Sequence, residues 1–203
     1  MPRYKLTYLD MPTSRGEECR LALHLAGVPF EDERLQRGAW PERKPTTPFG
    51  AIPVLAVEGA GELGQTNAIL RYLGSAHGLH PSDAWEAARH EAVMCAVEEL
   101  RARIDPSMRT DDADAKKRMR EELATGYLQQ WGTSIERQIG DGPFMGGAQV
   151  NVADLKLFVV VTWLRKGVLD HMPPDVLVGY PKLNRLVDAV REHPGVVAWY
   201  AKR

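Results

Sequence analysis

The sequence predicts a small α/β domain followed by an all-helical one. Three observations lead to this. Up to about residue 78, β-rich and amphipathic runs follow one another as β-α-β and then β-β-α. From residue 84 onward apolar residues recur at helical spacing. Between them Leu79-His80-Pro81-Ser82-Asp83 has the composition of a linker. The predicted limits are therefore 1–78 and 84–203, with 79–83 joining them.

Taken in order, Tyr4 to Leu9 alternates and is rich in β-formers, so it reads as a strand. Asp10 to Ser14 reads as a loop. Leu21, Leu25 and Val28 mark a helix from about Arg15, stopped at Gly27. Phe30 to Leu35 reads as a second strand, and its charges Glu31, Asp32, Glu33 and Arg34 predict an exposed edge. Gly38 to Pro48 contains three prolines and reads as a loop with one helical turn. Pro53 to Val57 and Glu62-Leu63 form a hairpin around Gly59-Ala60-Gly61. A helix then runs from Thr66, its predicted cap, to His77-Gly78.

In the second half Ala92, Ala96, Leu100, Ile104 and Met108 step by four, with Pro106 bending or ending that helix. Thr110 is the predicted cap of the next helix, along which Met119, Leu123, Tyr127, Trp131, Ile135 and Ile139 step by four again. Asn151 and Asp154 carry a capping-box spacing, flanked by Val150 and Leu155 as a hydrophobic staple. The run Leu157 to Leu164, apolar nearly all round, predicts a buried helix. Tyr180-Pro181 opens another, with Leu183, Leu186, Val187 and Val190 on one face, and Pro194-Gly195 separates it from a terminal turn.

The chain has 203 residues, enough for a sizeable core, and a net charge of −1 with dispersed Lys and Arg. That balance argues against a nucleic-acid partner or a polybasic membrane surface. The most apolar window, Val150 to Leu164, is too short for a bilayer span and is interrupted by Asp154 and Lys156. Two cysteines, Cys19 and Cys95, without a CxxC motif predict a reducing, cytoplasmic compartment and neither a disulfide scaffold nor a zinc site.

The chemistry concentrates between residues 49 and 70. Pro53 at the head of an apolar run suits a strand start, and Ile52-Pro53 is a candidate cis bond. A cis turn there exposes the backbone N–H and C=O of Ile52 to a bound molecule. Gln65-Thr66 opens a helix whose N-terminus favours an anion. Peptide-like pairing beside a carboxylate pocket predicts a small peptide ligand with a free carboxylate.

These features together resemble the cytosolic glutathione transferases, and most closely their sigma class. The motifs are Tyr4-Lys5-Leu6-Thr7-Tyr8, Glu31-Asp32-x-Arg34, Trp40-Pro41-Glu42-x-Lys44 and Pro48-Phe49-Gly50-x-Ile52-Pro53, with Gln65-Thr66 and the Asn-x-x-Asp box. The resemblance implies a thioredoxin-like N-terminal domain, an all-α C-terminal domain, glutathione as co-substrate and a homodimer. It implies that Tyr8 faces the glutathione sulfur, with Arg15 supporting it electrostatically. Trp40 and Lys44 would hold the glycine carboxylate end, Ile52 the cysteinyl backbone beside Pro53, and Gln65 and Thr66 the γ-glutamyl carboxylate. The electrophile site would be lined by Met11, Pro12, Ile104 and Met108.

The physical case for Tyr8 is independent of the resemblance. A thiol with a pKa of roughly 8.5 is only a few per cent ionised at neutral pH. A phenol stays protonated to about pH 10 and can donate to the thiolate. That charge-assisted bond is worth about 1.5–3 kcal/mol, enough to lower the thiol by about one to two units.

Rival readings exist at each position. A strand tyrosine is commonly packing; Ser14 is either a rival thiolate partner or a helix cap. Cys19 is either reactive or structural, and His77-x-x-His80 has metal spacing without a nearby carboxylate, so no metal is predicted. Trp131 and Trp163 read as packing. Sigma-class acidic residues on the fourth helix reach a neighbouring subunit's glutathione; here Glu98 and Glu99 remain, but Arg101 and Arg103 break the acidic cluster. Neither a divalent ion nor prostaglandin synthesis is predicted. The alternatives left open are a glutathione-dependent isomerase or peroxidase, and a non-catalytic crystallin-like or regulatory module.

Overall fold

The structure, a computed structural model, describes residues 3–202. Met1, Pro2 and Arg203, the outer ends of the two predicted domains, lie outside the described residues. Strand β1 (Tyr4–Leu9) sits inside a four-stranded sheet of order β2-β1-β3-β4. It pairs in parallel with β2 (Phe30–Leu35), Tyr8 opposite Arg34, and antiparallel with β3 (Val54–Val57), Leu6 opposite Leu55. Strand β4 (Gly61–Gly64) closes the other edge. The charged strand β2 is an edge, as its sequence predicts, with Lys5 paired to Glu31 and Glu33 at 3.1 and 2.8 Å.

Helices α1 (Ser14–Leu25) and α3 (Thr66–His77) pack together against the sheet. The segment between β2 and β3 holds more helix than predicted: α2 (Trp40–Arg43) lies between 3-10 turns at Arg37–Ala39 and Lys44–Thr46. The Ile52–Pro53 bond is cis. Gly78 takes the left-handed conformation (φ +74°) that ends α3, and Leu79 N–H then donates to the Gly74 carbonyl at 2.8 Å.

The second half comprises α4 (Ala84–Arg109), α5 (Ala113–Glu122), α6 (Leu128–Gln138), α7 (Val152–Arg165), α8 (Pro181–Glu192) and α9 (Pro194–Tyr200). Helix α7 is its hub, packed against α4 and α8, and it meets α1 of the sheet layer. The capping box is present: Asn151 Oδ1 accepts from Ala153 N–H at 2.9 Å, and Asp154 accepts from Asn151 N–H at 2.9 Å. The second Asp154 oxygen takes Met145 N–H at 2.8 Å. Burial pushes the Asp154 carboxyl up to about 7, against the pull of those two donors. Val159, Val160 and Val161 are helical and buried.

Several local expectations are corrected. Thr66 is the first residue of α3; the cap position is Gln65, at φ +68° and with no side-chain capping bond. The α5 cap is Asp112, whose carboxylate accepts from Asp114 and Ala115 N–H at 3.0 Å, while Thr110 Oγ1 takes Asp112 N–H. Pro106 lies inside α4, which continues to Arg109. Pro194 begins α9 as its first residue instead of separating it. Ala92 and Met108 are exposed; the buried face of α4 is Val93, Met94, Val97, Leu100 and Ile104. The predicted single helix through Met119 and Ile139 is interrupted by a π-helical segment, Leu123–Tyr127.

Candidate active site

Tyr8 stands near the end of β1, 6 % exposed. Its ring lies against Gly16 in the first turn of α1: a Cβ there would be 2.0 Å from Tyr8 Cδ1. The Arg20 guanidinium carbon sits 5.9 Å from the ring centroid. Arg20, fully buried, also donates to the carbonyls of Leu9 and Met11 at 3.2 and 2.9 Å and to Asp32 at 2.9 Å, which pins the β1–α1 loop. The Tyr8 hydroxyl has no hydrogen-bond partner among the described residues and is a free donor. Gly16→Ala is expected to push the ring aside, costing about 1–3 kcal/mol of stability. Thermal unfolding measures that cost, and an unchanged midpoint contradicts the packing of Tyr8 on Gly16.

Ser14 opens α1 with a left-handed backbone (φ +63°). The cap position belongs to Thr13, without a side-chain capping bond, so the capping role considered for Ser14 is not realised.

Two cavities meet at Arg15. The first, of about 290 Å³, is lined by Arg15, Ile52, Pro53, Gln65 and Thr66 together with Ala51, Asn67 and Glu98. Five predicted site residues therefore share one hollow. Tyr8, Trp40 and Lys44 do not line it; Lys44 Cε lies 3.7 Å from a Cβ placed on Gly50, the residue before Ala51. The second cavity, of about 250 Å³, takes Met11, Ile104 and Met108 as predicted, and Ser14, Arg15 and Arg101 as well. Pro12 instead lines an adjoining hollow of about 380 Å³. Val159 and Trp163 of α7 border both of these hollows, so Trp163 is a wall residue and not only packing. Trp131 is packing: it is buried and its Nε1 donates to the Ala96 carbonyl at 3.0 Å.

Arg15 donates to Glu98 Oε2 from Nε at 2.8 Å and from Nη2 at 2.7 Å. Glu98 is held further by Arg101 at 2.8 Å and Lys156 at 2.5 Å. Burial would raise its carboxyl, but Lys156, Arg101 and Arg15 outweigh burial and hold it at about 2. A folded value below the unfolded one makes this stabilisation fully present above about pH 4.5 and lost as pH falls through about 2. The urea midpoints of the wild type and Glu98→Gln should accordingly differ at pH 6 and converge toward pH 2. A constant gap would contradict the pairing.

Cys19 is fully buried, and burial pushes its thiol up, so it is structural. His77 Nε2 is 3.1 Å from the Tyr4 hydroxyl, whereas His80 Nδ1 faces the Pro81 carbonyl at 3.3 Å. Among the described residues no group of three or more His, Cys, Asp or Glu is arranged for a metal, and no helix is long and apolar enough to cross a membrane.

A thioredoxin-like sheet is joined to a helical bundle, and a polar cavity lies beside an apolar one where they meet. Residues 4–75 match the family model for the glutathione S-transferase N-terminal domain, and residues 98–203 that for the C-terminal domain. The chain belongs to the glutathione S-transferase family and is most similar to its sigma class. It is 35% identical to glutathione S-transferase 1 of Ascaris suum over 210 residues, covering 100% of this chain and 98% of that one. It is 34% identical to the hematopoietic prostaglandin D synthase of Mus musculus over 203 residues, with the same coverage. The solved prostaglandin synthase D of Nilaparvata lugens superposes with a TM-score of 0.88 at 30% identity, covering 100% of this chain and 98% of that one.

Proposed function

We propose that this chain is a detoxifying glutathione transferase in which the Tyr8 hydroxyl donates to the glutathione thiolate. The observation that carries the reading is the pair of cavities joined at Arg15. The polar one suits glutathione: the Ile52 backbone pairs with the cysteinyl unit, and Gln65 and Thr66 take the γ-glutamyl carboxylate at the α3 N-terminus. Trp40 and Lys44 approach the glycine carboxylate from the α2 segment. The apolar one suits a small electrophile against Met11, Ile104 and Met108. The thiolate forms the new carbon–sulfur bond as the electrophile's electrons leave with its leaving group or move into its conjugated system.

Calorimetry with glutathione should give saturable binding, and difference absorbance should reveal the ultraviolet band of a thiolate. Binding without that band would favour the non-catalytic module; no binding would reject the reading. A second reading, glutathione-dependent isomerisation, draws on the prostaglandin D synthases among the relatives. It predicts products that carry no glutathione, which mass spectrometry separates from conjugates. The proposal includes a cytoplasmic location, in keeping with two free cysteines, and a symmetric homodimer, which sedimentation would test.

A further inference from the structure

Lys156 is an anomaly in α7. Its side chain is fully buried in a helix whose other buried residues, apart from Asp154, are apolar, and it lines neither cavity. A buried ammonium is tolerated only when paired and hydrogen-bonded. Lys156 Nζ donates to Glu18 Oε2 at 3.0 Å and to Glu98 Oε1 at 2.5 Å. Arg101 bridges the same two carboxylates, contacting Glu18 closely and Glu98 at 2.8 Å. Glu98 Oε2 is then the acceptor for Arg15. The chain of contacts runs from the core of α7, through α1 and α4, to the residue shared by both cavities.

Its charge does not cancel. Within these ion pairs three cationic heads, Arg15, Arg101 and Lys156, face two carboxylates, Glu18 and Glu98, a surplus of one positive charge inside the cluster; Asp105 borders the same hollow as Arg15 and Arg101, and Arg20 with Glu17 and Asp32 forms the neighbouring ion pairs. Among the described residues, Cys19 on α1 and Cys95 on α4 also feel the Lys156 charge. Burial pushes both thiols up, which keeps them neutral. The cluster is shielded from solvent at Lys156 and Glu18 and opens toward the cavities at Arg15 and Glu98.

We propose that Lys156 is a positioning residue that acts through Glu98 on Arg15, and that the single surplus charge of this buried cluster favours ionisation of the glutathione thiol. The inference rests on the thiolate reading above. It goes beyond that reading by assigning part of thiol activation to a residue that touches neither ligand.

The test titrates the thiolate absorbance of bound glutathione in a charge series. Lys156→Met removes the surplus and should raise the titration midpoint by about half to one pH unit. Glu18→Gln doubles the surplus and should lower it by a similar amount. The double variant Lys156→Met/Glu18→Gln restores a surplus of one and should return the midpoint to about the wild-type value; Lys156→Arg should do the same. A merely structural role would lower thermal stability in these variants without ordering their midpoints by charge. If Lys156→Met fails to fold, Glu18→Gln and the double variant decide by the same criterion. Equal midpoints in the folded variants, or a shift opposite to the charge, overturn the proposal. Tyr8→Phe in the same titration keeps the two ideas apart. A shift there with none in the charge series sinks only the role of Lys156, whereas no shift in either sinks the thiolate reading.

Discussion

Tyr8→Phe is expected to lower kcat/KM for conjugation about ten- to fiftyfold at pH 6.5, with little change in glutathione affinity. The hydroxyl is a free donor at the end of β1, and the phenylalanine ring keeps the packing against Gly16. The loss is therefore that of one charge-assisted hydrogen bond, about 1.5–3 kcal/mol. It acts on the fraction of thiol ionised, so its size depends on pH. Near pH 6.5 an unassisted thiol is about 1% ionised, whereas one lowered by one to two units is about 10–50% ionised. Above pH 9 both are largely ionised, and the rates of wild type and variant should converge. Ser14→Ala, measured in parallel, should stay within about twofold, because surface substitutions cost little when they remove no specific contact. A phenylalanine variant with full activity, or with a loss that is the same at every pH, would remove Tyr8 from the mechanism.

Asp154→Ala is expected to be the most destabilising single change, at about 3–5 kcal/mol. It strips two buried backbone donors, Asn151 N–H and Met145 N–H, of their acceptor. It also removes the reciprocal half of the capping box at the N-terminus of α7, the helix that joins the bundle to α1. The thermal midpoint should fall by about 8–15 °C for a chain of this size. The pH dependence has a definite sign. Because burial raises the folded carboxyl to about 7 from 3.8, its contribution is complete below about pH 3.8 and diminishes as pH rises through 7. The gap between wild type and variant should narrow from pH 5 to pH 8. A loss below about 1 kcal/mol would show that other contacts hold the start of α7.

Local patterns written within a few residues were legible in the chain. The charges of β2 foretold its edge position, and Asn151 with Asp154 foretold the start of α7. Wider patterns misled for a geometric reason. A step of four residues advances about 40° beyond a full helical turn, so a stripe stepping by four drifts about 160° over sixteen residues. Leu100 at its middle faces the core, while Ala92 and Met108 have turned to solvent. In the next stripe the π segment Leu123–Tyr127 takes up an extra residue per turn and rotates the face back. Leu123, Trp131, Ile135 and Ile139 therefore stay buried.

The site divides in the same way. Motif spacing brought Ile52, Pro53, Gln65 and Thr66 together, because one turn and one helix start carry all four. Trp163 as a cavity wall left no mark that distinguishes it from packing, since the run Leu157 to Leu164 of α7, apolar nearly all round, presents similar side chains to core and cavity alike. By itself the sequence determined the order of the strands and of most helices, the α7 cap and the residue types that suit a small peptide with a free carboxylate. Those depend on backbone preferences and contacts a few residues apart. The joining of two cavities at Arg15, and the burial of Lys156 between Glu18 and Glu98, were decided only by the packing of α1, α4 and α7. Partners as many as 138 positions apart meet there, and a buried charge finds its counter-charges only once those helices have docked.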